Sequence, residues 1–386
     1  MKNKGNETNT KQKSITFLFM YYYPEVPTIS YIYQPLVESY ITRGYKVNII
    51  TPNPTRGISK EEVIKYKHND VEMINENLTV YRVKCFTYKN YSKLNLLHRY
   101  MSVSWRCSRK LKQIETDEVF FQTSPPIFYA YWGSKVAKKK DAHIIYNVQD
   151  IYPDNIRKPK TLFYKIVNHF QMKTMQNSDQ ITTISKDMKE TLLKKGAFED
   201  KIEIIPNGPT YEVENYEENT IVDIRKKYNV NENYFNIVYA GNIGYLQDLD
   251  ILIAAAKLLL NEEKIKFTII GEGSQASRIK QRIIDEDVSN VSFFPMGKME
   301  DSPYVYKIAD VNFISLVPGV IYTACPLKTA MIINANKQII AAVDEDSYYA
   351  HDLKNDHNAI IVPNRNYHLL ANEIKKLAKS KIEEKY

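Results

Sequence analysis

Two consecutive runs of short, continuously apolar segments, each followed by an amphipathic stretch, constrain this chain more than any other feature. The first run consists of Ile15 to Met20, Lys46 to Thr51, Val80 to Val83, Val119 to Gln122, Ile144 to Val148, Gln180 to Ile184 and Ile202 to Ile205. The second consists of Phe235 to Ala240, Lys266 to Ile270, Asn290 to Phe294, Asp310 to Ser315, Gln338 to Val343 and Ala359 to Val362. Segments that are apolar at nearly every position belong to strands buried on both faces, and strands alternating with helical patterns favour a mainly parallel sheet.

The expected class is therefore α/β, with two Rossmann-like domains facing one another across a cleft. At 386 residues and 44% hydrophobic content the chain is long enough for two separate cores. Residues Met1 to Lys13 read as a disordered polar tail, 14–208 as the first domain, 209–365 as the second, and 366–386 as a helix available to dock back on either domain, including the first. The boundary is set at Pro206-Asn207-Gly208-Pro209, where a strand runs into turn residues and an acidic stretch. In the first domain a helix from about Ser30 to Arg43 is expected to stop at Gly44.

The tail lacks the apolar segment of a secretory signal, and no apolar run approaches the roughly 20 residues that cross a bilayer, so a cytoplasmic location is expected. The three cysteines, Cys85, Cys107 and Cys325, are odd in number and without CxxC spacing, which argues against a disulfide framework or structural zinc. The histidines form no HExxH, so neither a catalytic transition metal nor any other cofactor is expected. A formal charge of +8 fits an anionic partner, but no helix-turn-helix, zinc finger or aromatic sheet signature accompanies it, which makes nucleic acid the weakest choice.

Several short motifs sit where such sheets place chemistry. Gly241-Asn242-Ile243-Gly244 follows the strand Phe235 to Ala240 and precedes an amphipathic stretch from Gln247 to Leu260, so its amides sit where α/β sheets bind phosphorylated ligands. Gly271-Glu272-Gly273 follows the next strand; a GxG there marks either a pocket wall or a simple turn. Lys328, after Pro326 at a helix start, can hold a diphosphate and stabilise its growing charge as it leaves, or it is a solvated helix lysine. Asp150 ends a strand, where a carboxylate can orient or deprotonate a hydroxyl or simply cap a helix. Glu25, in the loop after the first strand, is either a substrate contact or a surface carboxylate.

In order, Tyr22-Tyr23-Pro24-Glu25-Val26, Ser124-Pro125-Pro126, Asp150-Ile151-Tyr152-Pro153-Asp154, Ile205-Pro206-Asn207-Gly208, Gly241 to Gly244, Gly271 to Gly273 and Pro326-Leu327-Lys328 resemble bacterial retaining glycosyltransferases of family 4. The likeness spans about Ile15 to Val362 and is nearest to the branch that builds O-antigen and capsule repeat units, including N-acetylfucosamine transferases. It implies the GT-B fold, an acceptor bound mainly by the first domain, a nucleotide-sugar bound by the second, and catalysis without a metal. Gly241, Asn242, Gly244, Gly271, Glu272, Gly273 and Lys328 are then donor-side residues, and Asp150 and Glu25 acceptor-side residues.

Two positions depart from the family pattern. Ser124-Pro125-Pro126 stands where many relatives have a histidine, and Met331 stands where a helix glutamate usually meets the ribose. Asp344-Glu345-Asp346 has the form of a metal-holding DxD but follows a strand, which favours a solvated acidic turn.

Tyr88 to Ile114 interleaves aromatic, leucine and basic residues, as either an interfacial helix or a core-facing helix with a solvated basic face. The function expected is retaining transfer of a sugar, from a UDP-N-acetylamino sugar, to a lipid-linked saccharide, with peripheral contact at the inner membrane surface. Two alternatives stay open at this point. They are a UDP-sugar 2-epimerase of the same fold and a catalytically silent nucleotide-binding subunit.

Overall fold

The computed structural model describes residues 12–383 apart from 26–27, 56–57, 68–69, 89–91, 123–126, 157–160, 210, 212 and 214. The Ser124-Pro125-Pro126 turn and residues 1–11 of the expected tail lie outside the described residues. The chain forms two compact units, the first comprising Met1–Ile184 and Leu192–Ile205 and the second Ser185–Thr191 and Pro206–Tyr386.

In the first unit, β1 (Ser14–Leu18), β2 (Lys46–Pro52), β3 (Val71–Asn75), β4 (Leu78–Val83), β5 (Glu118–Gln122), β6 (His143–Val148), β7 (Gln180–Thr183) and β8 (Ile202–Ile204) form one sheet. The order is β3-β4-β2-β1-β5-β6-β7-β8, and every pairing is parallel except β3 with β4. All of β1 is buried because helices cover both faces. Ile15, Phe17 and Phe19 pack on Tyr33, Val37 and Tyr40 of the helix Thr28–Thr42. Gly44, with φ +82°, ends that helix in the left-handed conformation that glycine adopts without strain. Toward the other face, the helix Phe128–Lys138 approaches β5 so closely that a Cβ on Gly133 would lie 2.2 Å from the Phe121 ring.

The strand β3 was not legible in advance. It is an edge strand whose Val71, Met73 and Ile74 are exposed, so it lacks the buried apolar face by which its neighbours are recognised. It joins β4 antiparallel, with an irregular register between Met73 and Asn75.

In the second unit, β9 (Phe235–Ala240), β10 (Ile265–Ile270), β11 (Val291–Phe294), β12 (Val311–Ser315), β13 (Gln338–Val343) and β14 (Ile360–Pro363) form a wholly parallel sheet, in the order β11-β10-β9-β12-β13-β14. Its central strand β9 is buried throughout. The C-terminal helix Tyr367–Glu383, for which the sequence left either domain open, packs within this unit. Its apolar stripe, Leu370, Ala371, Ile374 and Ala378, shares a core with Ile251, Leu252 and Ala255 of the helix Asp250–Leu258. Ion pairs from Lys375 to Glu262 and Lys381 to Asp310 flank the stripe. Among the described residues no helix is long and apolar enough to cross a membrane.

Candidate functional site

The carboxyl end of β9 gathers the residues that the sequence reading expected on the donor side. Gly241 has φ +135° and donates its N–H to Ile270 O at 3.0 Å, which turns the chain off the strand toward β10. There it meets the second glycine loop: Ile243 N–H donates to Glu272 O at 2.8 Å, and Gln275 N–H to Ile243 O at 2.9 Å. The interlock is the reason for two of the glycines. A Cβ on Gly271 would lie 2.0 Å from Gly241 O, and one on Gly273, at φ +151°, 2.4 Å from Ile243 O. The Glu272 side chain is exposed beside them.

Lys328 joins the same cluster from the loop before the short helix Thr329–Asn334. Its Nζ lies 3.6 Å from the centroid of the Tyr239 ring and 3.5 Å from Ala240 O. Among the described residues no carboxylate bridges it, and burial lowers its ammonium to about 7. A cation held by a ring face and one carbonyl has unfilled capacity for an anion. Tyr239 was missed in the sequence, where it reads as an ordinary core residue of β9; its hydroxyl donates to Asn242 O at 2.6 Å and fixes the glycine turn beneath the lysine.

The turn differs from the expectation in one respect. The helix begins at Asp250 and not at Gln247, so the glycine amides do not form a helix N-terminus. Gly241 and Ile243 donate within the interlocked loops, and Gly244 donates to Gln247 Oε1 at 3.0 Å. Gln247, which sequence reading left inside a helix, thus occupies an amide that a diphosphate oxygen can take. Met331 is 7% exposed and packs in the core, so it offers nothing to a ribose.

The acidic turn after β13 is structural. Asp344 accepts Gly319 N–H at 2.8 Å, and Asp346 accepts the Tyr322 hydroxyl at 2.7 Å. Asp187 was not singled out in the sequence; it is 2% exposed and accepts the N–H groups of Tyr348 and Tyr349 at 3.0 and 2.9 Å, at the start of the helix Tyr348–His357.

In the first unit, Asp150 follows β6 and caps no α-helix, since a turn and a single 3₁₀ turn, Asp154–Ile156, come next. Its side chain still meets solvent, yet protein packed around it raises its carboxyl above the ordinary carboxylate value. Beside it is a buried polar relay that sequence reasoning missed. Tyr33 O–H donates to Asn147 Oδ1 at 2.6 Å, and Asn147 Nδ2 donates to Thr182 Oγ1 at 2.8 Å.

Glu25, expected on the acceptor side, is enclosed by protein in the first unit. Its side chain is 2% exposed and accepts the N–H and hydroxyl of Thr55, whose hydroxyl also receives Arg99 Nη2 at 3.0 Å. A carboxylate enclosed in that way ties the loops after β1 and β2 to the long helix Lys93–Gln113.

The model of Glycosyltransferase Family 4 matches residues 34–210, and that of Glycosyl transferases group 1 matches 221–386. A glycosyl transferase named for colanic acid biosynthesis, WcaI of Escherichia coli K12, is 24% identical over 329 residues, 81% of this chain and 79% of that protein. The glycosyltransferase WbjE of Pseudomonas aeruginosa is 21% identical over 207 residues, about half of each chain.

Among solved structures, Anabaena HepE in complex with UDP and glucose superposes with a TM-score of 0.67 at 13% identity, covering 95% of this chain and 89% of that one. WaaG, a glycosyltransferase involved in lipopolysaccharide biosynthesis, gives 0.70 at 14% identity, with 95% and 90% covered. Two parallel α/β units with this topology are the GT-B fold. The chain belongs to the family 4 glycosyltransferases, a retaining family that uses nucleotide-sugars.

Proposed function

We propose that the protein moves a sugar from a UDP-linked N-acetylamino sugar to a lipid-linked saccharide, with retention at the anomeric carbon, during assembly of a surface polysaccharide such as capsule or O-antigen. The reaction is placed on the cytoplasmic face of the membrane, with the nucleotide-sugar as substrate and no resident metal. The observation that carries this reading is the convergence of Lys328 with both glycine loops at the carboxyl edge of the second sheet.

In the proposed mechanism the diphosphate meets Lys328 and displaces Gln247 from the Gly244 amide. As the bond from the anomeric carbon to the diphosphate oxygen breaks, negative charge grows on that oxygen. A desolvated ammonium set beforehand against the Tyr239 ring stabilises it without reorganising solvent. Asp150, its carboxyl already raised, is the acceptor-side group that orients or accepts the proton of the attacking hydroxyl. The relatives support the setting: one is named for colanic acid biosynthesis, and one fold relative was solved with UDP and glucose.

The test is a thermal-shift panel of nucleotides and nucleotide-sugars, followed by transfer assays on the one that stabilises the protein. K328A should fold normally while turnover drops about 100-fold or more, the scale of losing one preorganised charge-stabilising group. A fully active K328A enzyme refutes the role given to the lysine.

A further inference from the structure

A groove of about 760 Å³ between the helices Lys93–Gln113 and Phe128–Lys138 of the first unit has no part in the chemistry described above. Arg109 and Lys112 line it from the first helix, and Lys135, Lys139 and Lys140 from the second helix and the turn beyond. No carboxylate is among its described lining residues. Five cations with no acid among them make the groove strongly positive and suited to anionic groups.

The helix that forms one wall continues the argument. Its buried face, Val103, Cys107 and Leu111, packs into the unit at 0% exposure. On the opposite side Leu94, Leu97, Met101, Trp105, Arg109 and Lys112 follow one another at spacings of three or four, a single line about 27 Å long. Leu94 is 77% exposed, Leu97 49% and Trp105 52%, so the amino-terminal half of the line is apolar and open while the carboxyl-terminal half is cationic. A solvated helix face has no need of two leucines and a tryptophan in register. The Arg109 guanidinium lies 5.4 Å from the Trp105 ring centroid, at the join between the halves.

An apolar line with an aromatic at its centre, continued by clustered cations, matches the surface of an anionic bilayer, with acyl boundary for one half and phosphates for the other. We infer that this face of the first unit docks on anionic phospholipid, with headgroup phosphates in the groove and Leu94, Leu97 and Trp105 entering the interface. The inference extends the proposed function, whose acceptor is lipid-linked, but its observations are those of the groove and helix alone.

The chain has two tryptophans, so W132F leaves Trp105 as the sole reporter. That protein should bind vesicles of phosphatidylcholine with about 30% phosphatidylglycerol at least about tenfold more tightly than phosphatidylcholine alone. Trp105 emission should shift to the blue on binding, and added salt should weaken the binding. Reversing three cations, R109E/K112E/K139E, should lower binding about tenfold or more. The milder K135Q/K139Q should lower it less, and L94S/L97S should reduce the blue shift.

Equal binding by the reversed variant, no preference for the anionic vesicles, or capture of free pyrophosphate or an oligonucleotide while vesicles are ignored would each overturn the inference. The UDP thermal shift, run on every variant, keeps the two readings apart. A protein that binds vesicles but is not stabilised by UDP contradicts the transferase mechanism and leaves this surface standing. One stabilised by UDP that ignores vesicles does the reverse.

Discussion

Lys328 carries the most informative charge in the second unit. Its ordinary value of 10.5 falls to about 7 through burial, so between those limits the unfolded chain binds a proton that the folded chain does not. The sign follows: this residue makes stability rise with pH from 7 toward 10.5, and its cost is greatest below 7. K328M should therefore raise the melting temperature at pH 6 and lose that advantage above pH 10, as thermal melts across pH will show. An anion reverses the shift, because a diphosphate restores the charged form. UDP binding at pH 8 should take up close to one proton, measurable by calorimetry in buffers of different ionisation enthalpy, and affinity should decline as pH rises past 7. Binding without proton uptake would mean the lysine does not meet the phosphates. The sequence indicated Lys328 and its glycines through motif order, but not the Tyr239 ring or the Gln247 amide, because partners fixed by loop geometry have no period along the chain.

At the scale of elements, the interlocked glycine loops make a sharper demand than a turn alone. G271A would set a methyl 2.0 Å from Gly241 O and 3.1 Å from Ile243 Cγ1, and overpacking of this kind costs about 1–3 kcal/mol or more. UDP affinity should fall with it, since the turn under Lys328 must move. In the C-terminal helix, L370A removes a fully buried side chain and should cost about 2–5 kcal/mol in denaturant unfolding.

Strands buried on both faces, such as β9, were legible to within a residue or so because every position carries the signal. The edge strand β3 and the destination of the C-terminal helix were not. An amphipathic stripe states that it needs a partner, and only the fold says which surface is within reach. Glu25 shows the same limit: a loop carboxylate looks alike in sequence whether it meets solvent or, as here, Thr55.

The whole molecule has a separate apolar core in each unit, around β1 in the first and around β9 in the second. Calorimetry should resolve two transitions, of which only the second responds to nucleotide, rising by about 2.7 kcal/mol at a hundredfold excess over Kd. D187A should lower that same transition by about 1–3 kcal/mol, because two amides of the helix Tyr348–His357 lose their acceptor. The residue responsible lies in Ser185–Thr191, a stretch of the second unit that the chain supplies before it has finished the first. The peptide therefore changes unit three times, at Ile184, Thr191 and Ile205. A gene cut after Ile205 would hand one fragment a strip of sequence that the other requires, and the second fragment made alone would start life missing a piece of itself.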